Sequence, residues 1–129
     1  MEAKDLMIGD WVDYNGTYQR VEEITDIDNQ VYLTEYEVVD CPDIYPIPIT
    51  KDILEKNGFE LSPDCVYEYI YEDEDKKIIC CPKGTACINA YGYISVYRGC
   101  LSVEDMPIDF VHELQHALKL CESEIEIEP

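Results

Sequence analysis

An Asn-Gly pair between two strand-like segments constrains this fold more than any other feature of the sequence. Asn15-Gly16 separates Trp11-Val12-Asp13-Tyr14 from a segment that starts at Thr17. A two-residue hairpin turn needs positive φ at both positions, and Asn and Gly tolerate that conformation best. The sequence therefore predicts an antiparallel β-hairpin near the amino terminus.

This hairpin is predicted to open a longer antiparallel meander. The returning strand is expected from Thr17 to Ile27, with a second turn at Asp28-Asn29. A third strand is expected from Val31 to Val39, because its apolar residues alternate between two faces. Residues 1–40 are therefore predicted to form an N-terminal antiparallel β-meander or a small SH3-like barrel.

The middle of the chain predicts a connector and a short helix. Three prolines between residues 41 and 48 favour an extended, unpaired segment. Thr50 is a good N-cap, and Gly58 stands where a left-handed residue ends many helices. A short middle helix is therefore predicted in residues 50–58, anchored by Ile53 and Leu54.

A second antiparallel β unit is predicted over residues 64–100. Residues alternate in character from Cys65 to Tyr71, and an acidic turn at 72–75 joins this strand to a returning one from Lys76 to Cys80. A further strand is expected from Ala90 to Tyr97. The three segments predict a second antiparallel sheet.

The last quarter of the chain predicts a helix followed by an acidic tail. A C-terminal amphipathic helix packed on the sheet is expected over residues 107–121, because Pro107 suits a first helical turn. Residues 122–129 are expected to be a frayed or extended end. The whole chain, residues 1–129, is thus predicted to be one α+β domain.

The chain is strongly acidic, with 29 Asp and Glu against 9 Lys and Arg and a net charge of −20. Direct binding to nucleic acid or to an anionic membrane needs cationic surface, so neither is expected. The charge suits a protein partner with a basic surface. A DNA mimic is a more specific alternative, and plain solubility is the simplest. Because no long apolar run or secretory leader is recognised, a cytoplasmic location is expected.

The seven cysteines do not indicate a disulfide framework. Their number is odd and no leader accompanies them, so we expect reduced thiols that mostly fill the core. No C-x-x-C pair occurs, and neither a zinc ribbon nor a thioredoxin-type site is indicated.

The segment from His112 to His116 spells H-E-x-x-H, the zinc-binding pattern of many metalloproteases. Residues four apart share a helix face, so His112 and His116 could bind one metal, with Glu113 as the general base. A zinc site needs a third ligand, and the residues after His116 contain no further His. Cys80, Cys81 or Cys87 could supply it, but no spacing selects one. We therefore favour an amphipathic helix with a solvated polar face, without cofactor or catalytic residue. A zinc-dependent hydrolase is the alternative.

Eleven tyrosines suggest an aromatic surface, because many share one parity of the predicted strands. Stacked bases are improbable ligands for so acidic a chain. Cross-strand pairs that stabilise a half-exposed sheet are the simplest explanation, and a protein-binding face is the functional alternative. The tyrosines concerned are Tyr67, Tyr69, Tyr71, Tyr91, Tyr93 and Tyr97.

Three segments occur in this order along the chain: Leu6-Met7-Ile8-Gly9-Asp10-Trp11-Val12, the stretch from Pro46 through Glu55-Lys56-Asn57-Gly58-Phe59, and Val111-His112-Glu113-Leu114-Gln115-His116-Ala117-Leu118. Together they resemble a family of small uncharacterised proteins from phages and mobile elements of Bacteroidetes gut bacteria. The resemblance assigns no catalytic residue. Some members carry Gln and Asn at the positions of Glu113 and His116, which implies that the shared role does not need H-E-x-x-H chemistry. The expected function is that of a non-enzymatic accessory protein that binds another protein through an acidic, Tyr-rich surface.

Overall fold

The computed structural model describes residues 1–65, 68–72, 76–82, 92–98, 101–121 and 125–129. The chain forms two compact units, residues 1–47 (with Pro129) and 48–128. Two antiparallel sheets and two helices confirm the predicted α+β class, while the single domain stays a prediction.

The strands are β1 (Trp11–Tyr14), β2 (Thr17–Thr25), β3 (Gln30–Leu33), β4 (Tyr36–Asp40), β5 (Ile44–Tyr45), β6 (Glu60–Leu61), β7 (Tyr69–Glu72), β8 (Lys76–Cys81), β9 (Tyr93–Arg98) and β10 (Leu101–Pro107); the helices are α1 (Lys51–Lys56) and α2 (Val111–Leu120).

The first unit is built on a five-stranded sheet with the order β4-β3-β2-β1-β5. A single turn of 3-10 helix, Cys41–Asp43, precedes β5. This strand order is that of SH3-like barrels, but no ladder joins β4 to β5 in the described residues, so the sheet is an open meander with a fifth strand. Its inward side chains form one apolar cluster, which includes Val12, Val21, Val31, Leu33 and Ile44.

The predicted hairpin is confirmed. Asn15 and Gly16 have φ values of 53° and 81°, as a type I′ turn requires. The ladder pairs Trp11 with Arg20 and Tyr14 with Thr17, which closes the two-residue loop. Because side chains alternate across a strand, this register decides which residues of β1 and β2 face the core and which face outward.

Two parts of the predicted meander are wrong. The expected strand from Val31 to Val39 is divided by a turn at residues 34 and 35, where neither residue is a typical turn former. The expected unpaired connector contains β5, which pairs with β1 through Asp13↔Tyr45 and Tyr14↔Ile44. The prolines at 42, 46 and 48 flank this short strand and leave its backbone N–H groups intact.

The second unit contains a sheet with the order β10-β9-β8-β7-β6. The predicted hairpin between β7 and β8 is confirmed, with Tyr69 opposite Cys80 and Glu72 opposite Lys77. The edge strands β6 and β10 were not predicted. Residues 73–75 of the acidic turn and 83–84 of the next turn lie outside the described residues.

Helix α1 begins and ends as its sequence predicts. Thr50 Oγ1 accepts a hydrogen bond from the Ile53 N–H. At the other end Gly58 has φ of 90°, the Gly58 N–H donates to the Glu55 carbonyl, and the Phe59 N–H donates to the Leu54 carbonyl. These two bonds form a Schellman motif, in which glycine permits the left-handed residue.

The C-terminal end of the chain is extended and anchored to α1. The Asn57 side-chain amide donates to the Glu128 carbonyl at 2.9 Å and accepts from the Glu128 N–H at 2.8 Å. Ile127 is buried, with 2% of its surface exposed. The segment 125–128 is therefore part of the packed second unit, whereas residues 122–124 lie outside the described residues.

Helix α2 begins at Val111, four residues later than predicted. Pro107 is the last residue of β10, and Phe110 is the N-cap. The helix contacts β9, as expected for a helix packed on the sheet. Within the described ranges, no helix has the length and apolar character needed to cross a bilayer.

Candidate functional site

The H-E-x-x-H segment occupies the first turns of α2, and its histidines lie side by side. The His112 and His116 ring centroids are 5.6 Å apart, with the rings nearly perpendicular. His112 also stacks on Phe110, at 6.0 Å and 12° between the planes. The prediction of a solvated face is wrong for His112, which is only 8% exposed. The buried side of α2 includes polar residues as well as the apolar ones from which the face was predicted.

Glu113 contributes to the start of the helix. Its Oε1 accepts hydrogen bonds from the backbone N–H groups of Asp109 at 2.9 Å and Phe110 at 3.0 Å. These donors lie at the amino end of the helix, where a carboxylate is also favoured by the helix dipole. The geometry therefore gives Glu113 a capping role, which a catalytic base would not require.

This capping role predicts how two substitutions at Glu113 affect stability. Glu113→Ala removes the acceptor and should lower the free energy of unfolding by about 1 kcal/mol, within the usual range for a lost cap. Glu113→Gln keeps an acceptor oxygen at the same position and should cost under about 0.5 kcal/mol. Urea unfolding of both variants measures the difference.

Elemental analysis and a peptidase assay on the same proteins test the zinc hydrolase. That alternative requires about one zinc per chain, lost in the double variant His112→Ala/His116→Ala. It also requires Glu113→Gln to abolish hydrolysis while leaving the fold intact. A metal-bound, active protein with this pattern would contradict a purely structural role for Glu113.

The third ligand that such a site needs is not placed by the structure. Among the residues described, no group of three or more His, Cys, Asp or Glu side chains is arranged to hold a metal ion. Cys80 and Cys81 are buried on β8 as free thiols, and burial raises the pKa of Cys80 to about 12. Cys87 lies outside the described residues.

A different group of residues meets on the outer face of the first sheet. The ladder of β1 with β2 places Tyr18 beside Asp13, and the ladder of β1 with β5 places Tyr45 on its other side. Tyr18 and Tyr45 are 49% and 63% exposed, while Val12, the neighbour of Asp13 on β1, is fully buried on the opposite face. We call Tyr18, Asp13 and Tyr45 the aromatic row.

The next row of the same face holds a cation over an aromatic ring. Arg20 and Trp11 are ladder partners, and the guanidinium carbon of Arg20 lies 6.0 Å from the centroid of the Trp11 ring. The Nε–H of Arg20 donates to the Gly9 carbonyl at 3.3 Å. Arg20 is therefore held towards the amino-terminal end of β1.

The aromatic row could not be found from local sequence patterns. The segment containing Tyr45 was predicted to be unpaired, and its partner Asp13 lies 32 positions earlier. The burial of Ile44 and the exposure of Tyr45 on this two-residue strand come from the structure, and no sequence pattern indicated them.

The tyrosines that were predicted to form a surface differ in how far they are exposed. Tyr69 is buried, and Tyr97 is partly exposed. Tyr93 donates its hydroxyl to Glu68 Oε1 at 2.7 Å, and burial together with this carboxylate raises its pKa. Tyr67 and Tyr91 lie outside the described residues. Among the tyrosines that the structure describes, the two most exposed are Tyr45 and Tyr18, both in the first unit.

Two candidate sites thus emerge, the histidine pair on α2 and the aromatic row on the first sheet. The histidine pair has its two rings side by side on α2, and the adjacent Glu113 carboxylate accepts hydrogen bonds from backbone N–H groups. The aromatic row presents two exposed rings and one carboxylate. The chain matches no protein-family model, no curated protein and no solved structure.

Proposed function

We propose that this chain is a non-enzymatic accessory protein, of the phage or mobile-element type that its sequence resembles, which acts in the cytoplasm by binding another protein. The observation that carries the proposal is the aromatic outer face of the first sheet, where the exposed Tyr18 and Tyr45 flank Asp13 and Trp11 lies in the next row of the ladders. Single exposed apolar residues are ordinary, but contiguous ones mark interaction sites. Trp and Tyr are also enriched in the cores of protein interfaces.

The charge of the first unit supports a partner with a basic surface. Residues 1–47 contain twelve Asp and Glu but only two cationic residues, Lys4 and Arg20. Lys4 is ion-paired with Glu2 at 3.1 Å, and Arg20 is held over Trp11. Association with a cationic surface would be accelerated by this field and weakened by salt.

Two observations favour this proposal over its alternatives. A DNA mimic needs carboxylates spaced like phosphates along one face, whereas this face carries two exposed aromatic rings beside the single carboxylate of Asp13. A zinc hydrolase needs Glu113 near a metal-bound water, and that carboxylate accepts two backbone N–H groups instead.

Site-specific photo-crosslinking tests the proposed face. A photoreactive phenylalanine analogue is placed at Tyr18, at Tyr45, or at Ile27, and crosslinking is carried out in cells that carry the gene. Ile27 is the matched control, because it is 97% exposed in the same unit but lies in the turn between β2 and β3. We expect the same crosslinked protein from Tyr18 and Tyr45 and none from Ile27.

Salt provides a second readout of the same experiment. Raising the ionic strength from about 0.1 M to 1 M shortens the Debye length from about 10 Å to 3 Å, so crosslinking in extracts should fall sharply. Equal products from all three positions would indicate nonspecific contact. Absence of products from Tyr18 and Tyr45 would refute the proposed binding face.

A further inference from the structure

We infer that the aromatic row binds a single arginine side chain of the protein partner. This inference rests on the proposed function and specifies the chemistry of the contact. It is carried by the order of the three residues across the sheet, an acid flanked by two exposed aromatic residues on neighbouring strands. Such an order offers a planar cation two ring faces and one carboxylate.

The spacing of the row suits a flat cation. Neighbouring strands lie about 4.8 Å apart, so the backbones carrying Tyr18 and Tyr45 are separated by roughly 10 Å, with Asp13 midway. A guanidinium plane stacked between two rings needs about 3.5–4 Å on each side, or about 7–8 Å in total. The side chains can therefore reach a bound guanidinium from both sides without movement of the strands.

The carboxylate of Asp13 is held in place by the hairpin turn. Its Oδ1 accepts a hydrogen bond from the Gly16 N–H at 3.0 Å. Among the described residues, the Asp13 side chain makes no other hydrogen bond. Its Oδ2 can therefore accept a hydrogen bond from a ligand. A charge-assisted bond to an oriented carboxylate is stronger than a neutral one.

The same face already accommodates one guanidinium. Arg20 lies over Trp11 in the adjacent row, and its bond to the Gly9 carbonyl directs it away from Asp13. A second guanidinium over the aromatic row would repeat this arrangement with a residue of the partner. Arginine fits better than lysine because its planar group stacks on rings and donates several hydrogen bonds at once.

Peptide binding to the full chain tests the inference. The isotope-labelled protein is titrated with acetyl-Gly-Arg-Gly-amide, and amide chemical shifts are followed by NMR. The matched probes replace arginine by citrulline, which has the same shape without charge, or by lysine. We expect weak binding, with a Kd on the order of millimolar, with shifts at Asp13, Tyr18 and Tyr45. Lysine should bind more weakly and citrulline should give no shifts.

Variants assign the binding to individual side chains. Asp13→Asn keeps an acceptor for Gly16 and should weaken arginine binding about fivefold or more. Tyr18→Ala and Tyr45→Ala should each weaken it about two- to fivefold, as expected for one lost cation–π contact. Ile27→Ala should leave binding unchanged. Equal binding of arginine and citrulline, or shifts confined to other parts of the protein, would overturn the inference.

The two proposals can fail separately. If Asp13→Asn leaves the crosslinked product from Tyr45 undiminished, the face binds a protein without this arginine contact, and the inference is wrong while the proposed function stands. If Tyr18 and Tyr45 give no crosslinked product, the proposed function is wrong even where the arginine peptide binds. Loss of both crosslinking and peptide binding in Asp13→Asn supports both.

Discussion

Phe59→Ala should lower the free energy of unfolding by about 3–5 kcal/mol, the usual cost of truncating a buried aromatic residue. Phe59 is 2% exposed, and its ring centroid lies 5.7 Å from that of Tyr71. The loss should appear as a lower midpoint concentration of urea, with an unchanged dependence of the unfolding free energy on urea concentration. The Phe59 N–H that closes the Schellman motif of α1 belongs to the backbone and is retained in this variant, so the loss reports on the packing of the side chain.

The matched control for this variant is Leu61→Ala. Leu61 lies two residues further along, on the edge strand β6, and is 49% exposed. Its truncation should change stability by less than about 0.5 kcal/mol. Similar losses from both substitutions would show that the packing around Phe59 is not as described.

Ile127→Ala should cost about 2–5 kcal/mol and release the C-terminal segment, because the side chain is fully packed and a cavity would replace it. Limited proteolysis should then cut this segment faster than in the parent protein. Glu128→Ala is the control: Glu128 contributes its backbone N–H and carbonyl to Asn57, and its side chain is exposed. A tail that is equally resistant in both variants would contradict the anchoring of residues 125–128.

The elements that the sequence predicts correctly are those with a local chemical signal. Asn15-Gly16 specifies the hairpin turn, Thr50 starts α1 and Gly58 ends it, each through the conformation or hydrogen bond of one or two residues. Three neighbouring residues at the end of α1 have separate physical roles in the structure: Asn57 anchors the chain end, Gly58 is the left-handed cap and Phe59 is a core side chain.

The errors arise where distant residues determine the structure. Strand β5 depends on pairing with β1, and nothing in its own sequence marks it as a strand. His112 is predicted on a solvated face because it lies about opposite the apolar stripe of the helix, yet its burial depends on what surrounds α2. The start of α2 was placed too early because Pro107 suits both a first helical turn and the end of an edge strand.

The two candidate sites also differ in whether a local sequence signal or the pairing of distant residues reveals them. The motif of His112, Glu113 and His116 is visible in the sequence, but the direction of the Glu113 side chain is not. The aromatic row is invisible in the sequence and follows directly from two strand registers. Periodicity gives the face of each residue within its strand, whereas a binding surface also requires the order of the strands.

The pairing of Asn57 with Glu128 also bears on how this protein ages. In an Asn-Gly pair the glycine nitrogen can attack the side-chain amide carbon, which expels ammonia and forms a succinimide that water opens to aspartate or isoaspartate. At Asn57 that amide donates to the carbonyls of Ile53 and Glu128, and the Gly58 nitrogen donates to the Glu55 carbonyl. Hydrolysis there would leave an aspartate whose carboxylate faces two carbonyl oxygens. Folding therefore protects the chemical integrity of Asn57, and unfolding exposes it to an irreversible change of one dalton.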